Sequence, residues 1–213
     1  MKTRTQLNRG KKREEKNIDE IYKIIDESFL CYISFIRDHY PVVLPKNYGR
    51  MGNQIILHGA TNSPFTKQIS EAKDICINIT ILDGLVLGKS AFNHSVNFRS
   101  VVIYGQANII SNEIQKLKAL KAMTNHVVPN RWDKVRAPTI AELKSTMVLS
   151  VPLNEISAKV RNGPPTVMSS DENFPIWSGV LPLELKPNLP IADKYSMGVK
   201  PTEEVTKYST SVR

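Results

Sequence analysis

Residues 74–107 read DICINITILDGLVLGKSAFNHSVNFRSVVIYGQA. Ile75, Ile77, Ile79 and Ile81 alternate with Cys76, Asn78 and Thr80, so one face of the segment is apolar and the other polar. That is the period of a half-buried β-strand. Asp83-Gly84 then carries a strong hairpin signal, and LVLGKSAF, residues 85–92, reads as the returning strand. A longer strand is expected over 99–110, RSVVIYGQANII, with Gly105 marking a bulge or a bend at a barrel corner. Between these strands Asn93, His94, Ser95, Asn97, Arg99 and Ser100 crowd polar side chains into a short span. Two readings stand side by side. The block is a loop whose side chains satisfy its own backbone, or it is the wall of a site for a hydrogen-bond-rich anion such as a nucleotide, flanked by Lys89 and Arg99.

The same alternation and turn chemistry extend in both directions. Upstream, FLCYISFI (29–36), YPVVLPKNYG (40–49) and QIILHGA (54–60) read as strands. Pro41 and Pro45 place the second of them at an edge or an interruption, because proline donates nothing to a ladder. Downstream, MVLSVPL (147–153) and EISAKVRNG (155–163) follow. Helical spacing appears at Ile18, Ile21, Tyr22 and Ile25 behind Asn17 as N-cap, and a short helix starts at Pro64 with Ser63 as N-cap. Further helices are expected over 111–128, capped by Ser111 or Asn112, and over 138–146. No GxGxxG or Walker-type loop occurs, which argues against Rossmann and P-loop folds. The predicted fold class is mainly β: a small antiparallel closed or split β-barrel with peripheral helices.

The 213 residues suit one domain with appendages. The net charge is +9, but seven of the 29 lysines and arginines lie in the first sixteen positions against only Glu14 and Glu15. This divides the chain into a basic, flexible arm (1–16), a folded domain (17–190) and a tail (191–213). The first residues contain no apolar core of a signal sequence, and no run approaches the roughly 20 apolar residues of a membrane span, so a cytoplasmic protein without a membrane partner is expected. Cys31 and Cys76 each sit in an apolar run and read as inert packing thiols. No Cys/His cluster predicts a metal site. Clustered aromatics of the kind RNA-binding sheets use are missing, which leaves nucleic acid as a weak reading of the basic arm.

Candidate functional residues lie outside the central block as well. In LHGATNSPFTK (57–67) a strand ends at His58, and Ser63 and Lys67 stand at the start of a helix. A helix N-terminus with a hydroxyl and a lysine suits a phosphate, while a plain N-cap explains Ser63 equally well. His58 reads either as a hydrogen-bonded structural histidine or as a site residue. Trp177, in FPIWSGVLPL (174–183), either clamps a planar ligand or plugs a barrel end. No GxSxG elbow supports acyl transfer.

Taken together, RDHYPVVLPKNYGRMGNQIILHGATNS, DGLVLGKSAFNHSVNFRSVVIYGQA, AKVRNGPP and WSGVLPL resemble the flavin-nucleotide-binding branch of the pyridoxamine 5′-phosphate oxidase-like superfamily, over roughly residues 18–190. The resemblance implies an antiparallel split β-barrel of the FMN-binding type, assembled as a homodimer with FMN in clefts at the interface. It implies that the flavin runs along Val43 to Pro45 and that its phosphate meets Ser63 and Lys67. Lys89 stands where relatives often carry arginine, Arg99 and Ser100 match an Arg-Gln step, and Trp177 matches the tryptophan of a Trp-Gly-Gly loop. With His58 and Asn97 these complete the candidate cofactor set, and Arg99 is expected to matter more for FMN than Lys67. Ser63-Pro64-Phe65 replaces a Ser-Arg-Lys run, and the Arg-x-His segment that grips pyridoxine has no counterpart. The implied function is therefore an FMN-dependent oxidoreductase acting on a small molecule other than pyridoxamine phosphate. The alternative is a non-catalytic flavin carrier, sensor or structural dimer.

Overall fold

The computed structural model describes residues 4–210; positions 1–3 of the expected arm and 211–213 of the expected tail lie outside them. The elements in chain order are β1 (Glu14–Glu15), α1 (Ile18–Glu27), β2 (Leu30–Arg37), β3 (Tyr40–Asn47), β4 (Gly49–Met51), β5 (Gln54–Ala60), α2 (Pro64–Glu71), β6 (Ile75–Leu87), β7 (Ser95–Gly105), β8 (Asn108–Ile109), α3 (Glu113–Val127), α4 (Ile140–Ser145), β9 (Thr146–Pro152), β10 (Glu155–Arg161), β11 (Gly179–Pro182) and α5 (Glu203–Ser209). One antiparallel sheet runs β1-β10-β7-β6-β2-β3, with β11 also on β6; the other runs β4-β5-β9-β8. The mainly β, split-barrel class expected from the sequence is what forms.

The expected N-caps are in place. Asn17 accepts from the Asp19 N–H at 2.9 Å, Ser63 from Thr66 at 3.4 Å and Asn112 from Gln115 at 3.0 Å. The strand interrupted after Pro45 breaks at Tyr48, which is fully buried and donates its hydroxyl to the Ile25 carbonyl at 2.5 Å. Ile33, Ile55, Leu57, Ile77, Ile79, Val101, Ile103 and Leu149 fill the space between the two sheets, closed by Ile21, Ile24 and Ile25 of α1. A smaller cluster of Ile56, Val148, Ala119 and Met123 seats α3 on the outer side of the second sheet.

The Asp83-Gly84 hairpin does not form. β6 continues through these residues as one strand, with a register shift between Leu82 and Gly84, and β7 pairs with both of its halves. A turn signal makes a hairpin only when its two flanks pair with each other. Here the shared partner β7 outcompetes that local pairing, and the dipeptide becomes a β-bulge. The length of β6 lets it serve two partners on its other edge, β2 at Cys76–Asn78 and β11 at Gly84–Leu87. Gly84 is needed there because a Cβ would stand 3.0 Å from the Leu181 carbonyl oxygen. The reversal falls instead at residues 88–94, so β7 begins at Ser95 rather than at Arg99. At its other end β7 stops at Gly105, and the chain crosses to the second sheet as β8, which is the barrel-corner reading of that glycine.

Residues of the arm fold back onto the domain: β1 pairs with β10, and Arg4 bridges Asp74 and Glu155. The region after residue 163 contributes β11 and α5, and Arg131 holds Glu204 at the start of α5 at 2.9 Å. No helix among the described residues is long and apolar enough to cross a membrane. Cys31 is buried, its thiol donating to the Lys46 carbonyl at 3.3 Å, and burial pushes its pKa up to about 12. A thiol reagent at mildly alkaline pH is therefore expected to leave Cys31 unmodified until the protein unfolds, because the thiolate is the reactive form. Mass spectrometry of the labelled native protein checks this, and prompt modification at Cys31 would contradict it.

Candidate functional site

The ten residues singled out in the sequence fall into two groups. The first lies on β3, on β5 and at the start of α2. β3 is an edge strand, pairing only with β2, so one of its backbone edges is open. Cross-strand partners share a face: Val43 lies opposite Ser34 and Pro45 opposite Tyr32, and this face also carries Ile36. Tyr32, Ile36 and Val43 are all exposed, an apolar surface of the kind that proteins normally cover. The start of α2 packs beside β3 through Phe65, whose ring lies 5.8 Å from Phe35 and 5.9 Å from the Lys46 ammonium. Ser63 and exposed Lys67 flank Phe65 at the start of α2, while Phe35, which Phe65 packs against, lies on the sheet face opposite to Val43 and Pro45. Lys46, which the sequence reading passed over, brings an ammonium group to the start of α2; its place beside a proline on an edge strand was the available signal.

His58 stands at the far end of this group. It lies on β5 opposite Val148 and on the same face as Ile56, the face that receives α3. Its side chain opens into a groove of about 340 Å³ lined by Leu120, Met123, Thr124, Val127 and Val128 of α3 and the turn after it, with Asn47 and Arg131 at the rim. The groove continues past His58 toward Trp132, Val135 and Arg136. The Nδ1 atom of His58 is buried and has no hydrogen-bond partner among the described residues. Burial lowers its pKa, and the nearby Lys46 ammonium lowers it further. The imidazole is thus neutral at neutral pH and unclaimed by any structural hydrogen bond, unlike an ordinary core histidine. No group of three or more His, Cys, Asp or Glu able to hold a metal ion occurs among the described residues, so a metal here would have to arrive with most of its own ligands.

The second group lies along β7. Strand alternation sends Arg99 and Ser100 to opposite faces. Arg99 makes bidentate contacts with both Glu27, at the end of α1, and Asp83, in the bulge. Hydrogen bonds to these two carboxylates raise its pKa, and the triad floors a cavity of about 310 Å³ walled by Phe29, Leu82, Leu183 and Leu185. Ser100 instead joins Asn78 at 3.2 Å and Thr80 at 3.0 Å on the outer face. Asn97 is buried, donating to the Gly163 carbonyl and accepting from Arg161. Lys89 ties down the segment before Trp177 by donating to the carbonyls of Glu172 at 2.5 Å and Phe174 at 2.9 Å. Trp177 itself is exposed. Within one chain these residues form no single site with Ser63 and Lys67.

Comparison with known proteins follows the same division between fold and site. The family model described as pyridoxamine 5′-phosphate oxidase matches residues 17–160. The FAD- and heme-binding protein of Mycobacterium smegmatis is 27% identical, with a TM-score of 0.89 over 94% of this chain and 98% of that one. The flavocytochrome Anf3 of Azotobacter vinelandii is 31% identical, with a TM-score of 0.89 over 97% of each chain. No curated protein matches. A family match across most of the domain and a near-full-length likeness above 30% identity lead to one statement: the chain belongs to the pyridoxamine 5′-phosphate oxidase family.

Proposed function

We propose that this protein is a flavin-dependent oxidoreductase of two redox groups, with the flavin mononucleotide unit along β3 and a heme in the groove at His58. The unit is FMN itself or that half of FAD. The observation that carries the reading is the neutral, unpartnered imidazole of His58 in an apolar groove, in a chain similar over nearly its whole length to a flavocytochrome and to an FAD- and heme-binding protein.

The residues fit both groups. The open edge of β3 offers backbone N–H and C=O groups to a flavin ring, and Ser63, Lys67 and Lys46 offer a hydroxyl and two ammonium groups to its phosphate. A neutral imidazole at His58 would offer a lone pair to a heme iron, and the apolar α3 side chains that line the groove would shield a bound heme from water. Bound there, a flavin supplies two-electron chemistry and a heme iron a one-electron step, while the protein supplies position and electrostatics. Lys46 stands close enough to act electrostatically on His58, so the cation at the phosphate end of β3 also biases the groove toward a neutral ligand. Arg131 and Arg136 reach the groove, each held by a carboxylate, Glu204 and Glu142.

The test is the visible spectrum of the purified chain, before and after adding FMN, FAD and hemin in turn. Flavin bands together with a sharpened Soret band support the proposal. Flavin uptake without heme uptake leaves the alternative, a flavin-only carrier or sensor, and a protein that binds neither sinks both. Reduction of the bound flavin by a common donor separates enzyme from carrier.

The assembly belongs to the same reading: a homodimer that buries the Tyr32, Ile36 and Val43 face and closes the flavin cleft. Sedimentation is expected to give a mass near twice 24.0 kDa. Ile36→Asp, which puts a charge into that face, is expected to shift the protein toward monomer and to lower flavin affinity about tenfold or more. Full flavin affinity in a monomeric variant would separate the cofactor from the interface.

A further inference from the structure

Arg9, Gly10, Lys11, Lys12 and Arg13 form a tight turn ahead of β1, and with Lys159 of β10 they line a cleft of about 640 Å³. The fold makes this meeting: β1 pairs with β10 so that Glu14 lies opposite Lys159, far along the chain. Gly10 adopts the left-handed conformation at φ 71°, and a Cβ there would stand 3.2 Å from both Cε and Nζ of Lys159. Glycine therefore both permits the turn and leaves room for the ammonium. Arg161 follows Lys159 on the same face of β10, close enough to Arg13 that the two repel, and burial and this repulsion lower its pKa.

The two nearby acids, Glu14 and Glu15, offset only part of the charge of the cluster, and neither pairs with one of its cations. Glu14 is taken by Lys16 at 3.4 Å, and Glu15 accepts from the backbone N–H groups of Lys16 and Asn17. Among the described residues no carboxylate pairs with Arg9, Lys11, Lys12, Arg13 or Lys159. Arg4, Arg50, Arg99, Arg131 and Arg136, by contrast, all hold carboxylates. Lys159 donates to the Arg9 carbonyl at 3.4 Å, a contact that carries no negative charge. Gathering cations without carboxylate partners around one concavity costs self-repulsion, which a bound anion relieves. The outer sheet face continues the polar lining, since Ser100 is the register partner of Lys159.

We propose that this cleft binds the polyphosphate of a nucleotide. Five cations lining one cleft match several negative charges held a few ångströms apart, as in a di- or triphosphate, and are more than one phosphate uses. A nucleic-acid strand asks for an extended track with aromatic platforms, and no aromatic side chain lines the cleft. A membrane surface asks for apolar residues to insert, and none lines it either. The inference does not depend on the flavin or the heme.

The experiment is calorimetric titration of the full chain at low salt with tripolyphosphate, ATP, orthophosphate and a single-stranded oligonucleotide. Tripolyphosphate and ATP are expected to bind about tenfold or more tightly than orthophosphate. A Lys11→Gln, Lys12→Gln, Arg13→Gln variant is expected to lose about tenfold or more, as charge-assisted hydrogen bonds are removed. Lys159→Gln, on the facing strand, is expected to lose affinity too. The melting temperature, which exposed substitutions that relieve repulsion do not lower, shows that both variants are folded. Absence of binding by the natural chain overturns the proposal. So does wild-type affinity in either variant, or an oligonucleotide that binds more tightly than ATP and tripolyphosphate.

Discussion

Replacing His58 with alanine is expected to abolish stable heme uptake while leaving flavin uptake unchanged. His58 is the one histidine lining the groove, and the only other soft donor there, Met123, is buried in the cluster that seats α3. Removing a group that merely orients a metal ligand costs about 10–100-fold in metal affinity, so loss of the ligand itself sits at or above the upper end of that range. The chain should still fold, because the side chain makes no hydrogen bond through Nδ1 and stands near the end of β5. Hemin titration followed at the Soret band reads the loss, and flavin fluorescence on the same sample reads the retained cofactor. His58→Gly with added imidazole is expected to restore the band, which a structural role for His58 would not produce. Wild-type hemin affinity and spectrum in His58→Ala would remove His58 from the site.

Arg99→Ala is expected to lower stability by about 3 kcal/mol, the lower end of the range for removing one partner of a buried ion pair. The guanidinium, Glu27 and Asp83 are 28%, 29% and 31% exposed, so the charges are largely but not wholly out of water. Without the arginine two carboxylates face each other at the mouth of the barrel, and the tie between the end of α1 and the bulge in β6 is gone. For a chain of this size the melting temperature should fall by roughly 6–12 °C. Adding Glu27→Gln and Asp83→Asn to Arg99→Ala is expected to recover much of the loss, because the repulsion leaves with the charges. A single variant that melts like the natural chain would refute the structural role. Flavin titration of Arg99→Ala beside Lys67→Ala measures whether either cation also reaches the cofactor. Lys67 is exposed, and its loss should leave the melting temperature unchanged.

Much of the barrel is legible along the chain because its signals are local. The isoleucine alternation of 75–81, the caps at Asn17, Ser63 and Asn112, and the prolines of β3 each act over a few residues, and each appears where expected. The Asp83-Gly84 dipeptide shows the limit of this. Its local preference is for a turn, yet the ladder that one partner strand makes with both flanks is longer than the hairpin it replaces. The candidate site divides in the same way. Ser63 and Lys67 fall at the start of a helix, and Val43 and Pro45 on an edge strand, as their local signals require, whereas Lys46 becomes visible only when Phe65 packs beneath it.

By itself, then, the amino-acid sequence determined the class of the fold, the strands and caps that build it, and the family resemblance carried by its ordered motifs. Periodicity and capping involve neighbours along the chain, so they need no knowledge of distant pairing. The tertiary structure alone decided which charges are paired and which stand free. It set Arg99 between Glu27 and Asp83, left His58 without a partner beneath α3, and brought Lys159 across to the basic turn before β1. Those outcomes depend on residues tens to more than a hundred positions apart. Burial and electrostatics act through space, and only the folded chain sets those distances.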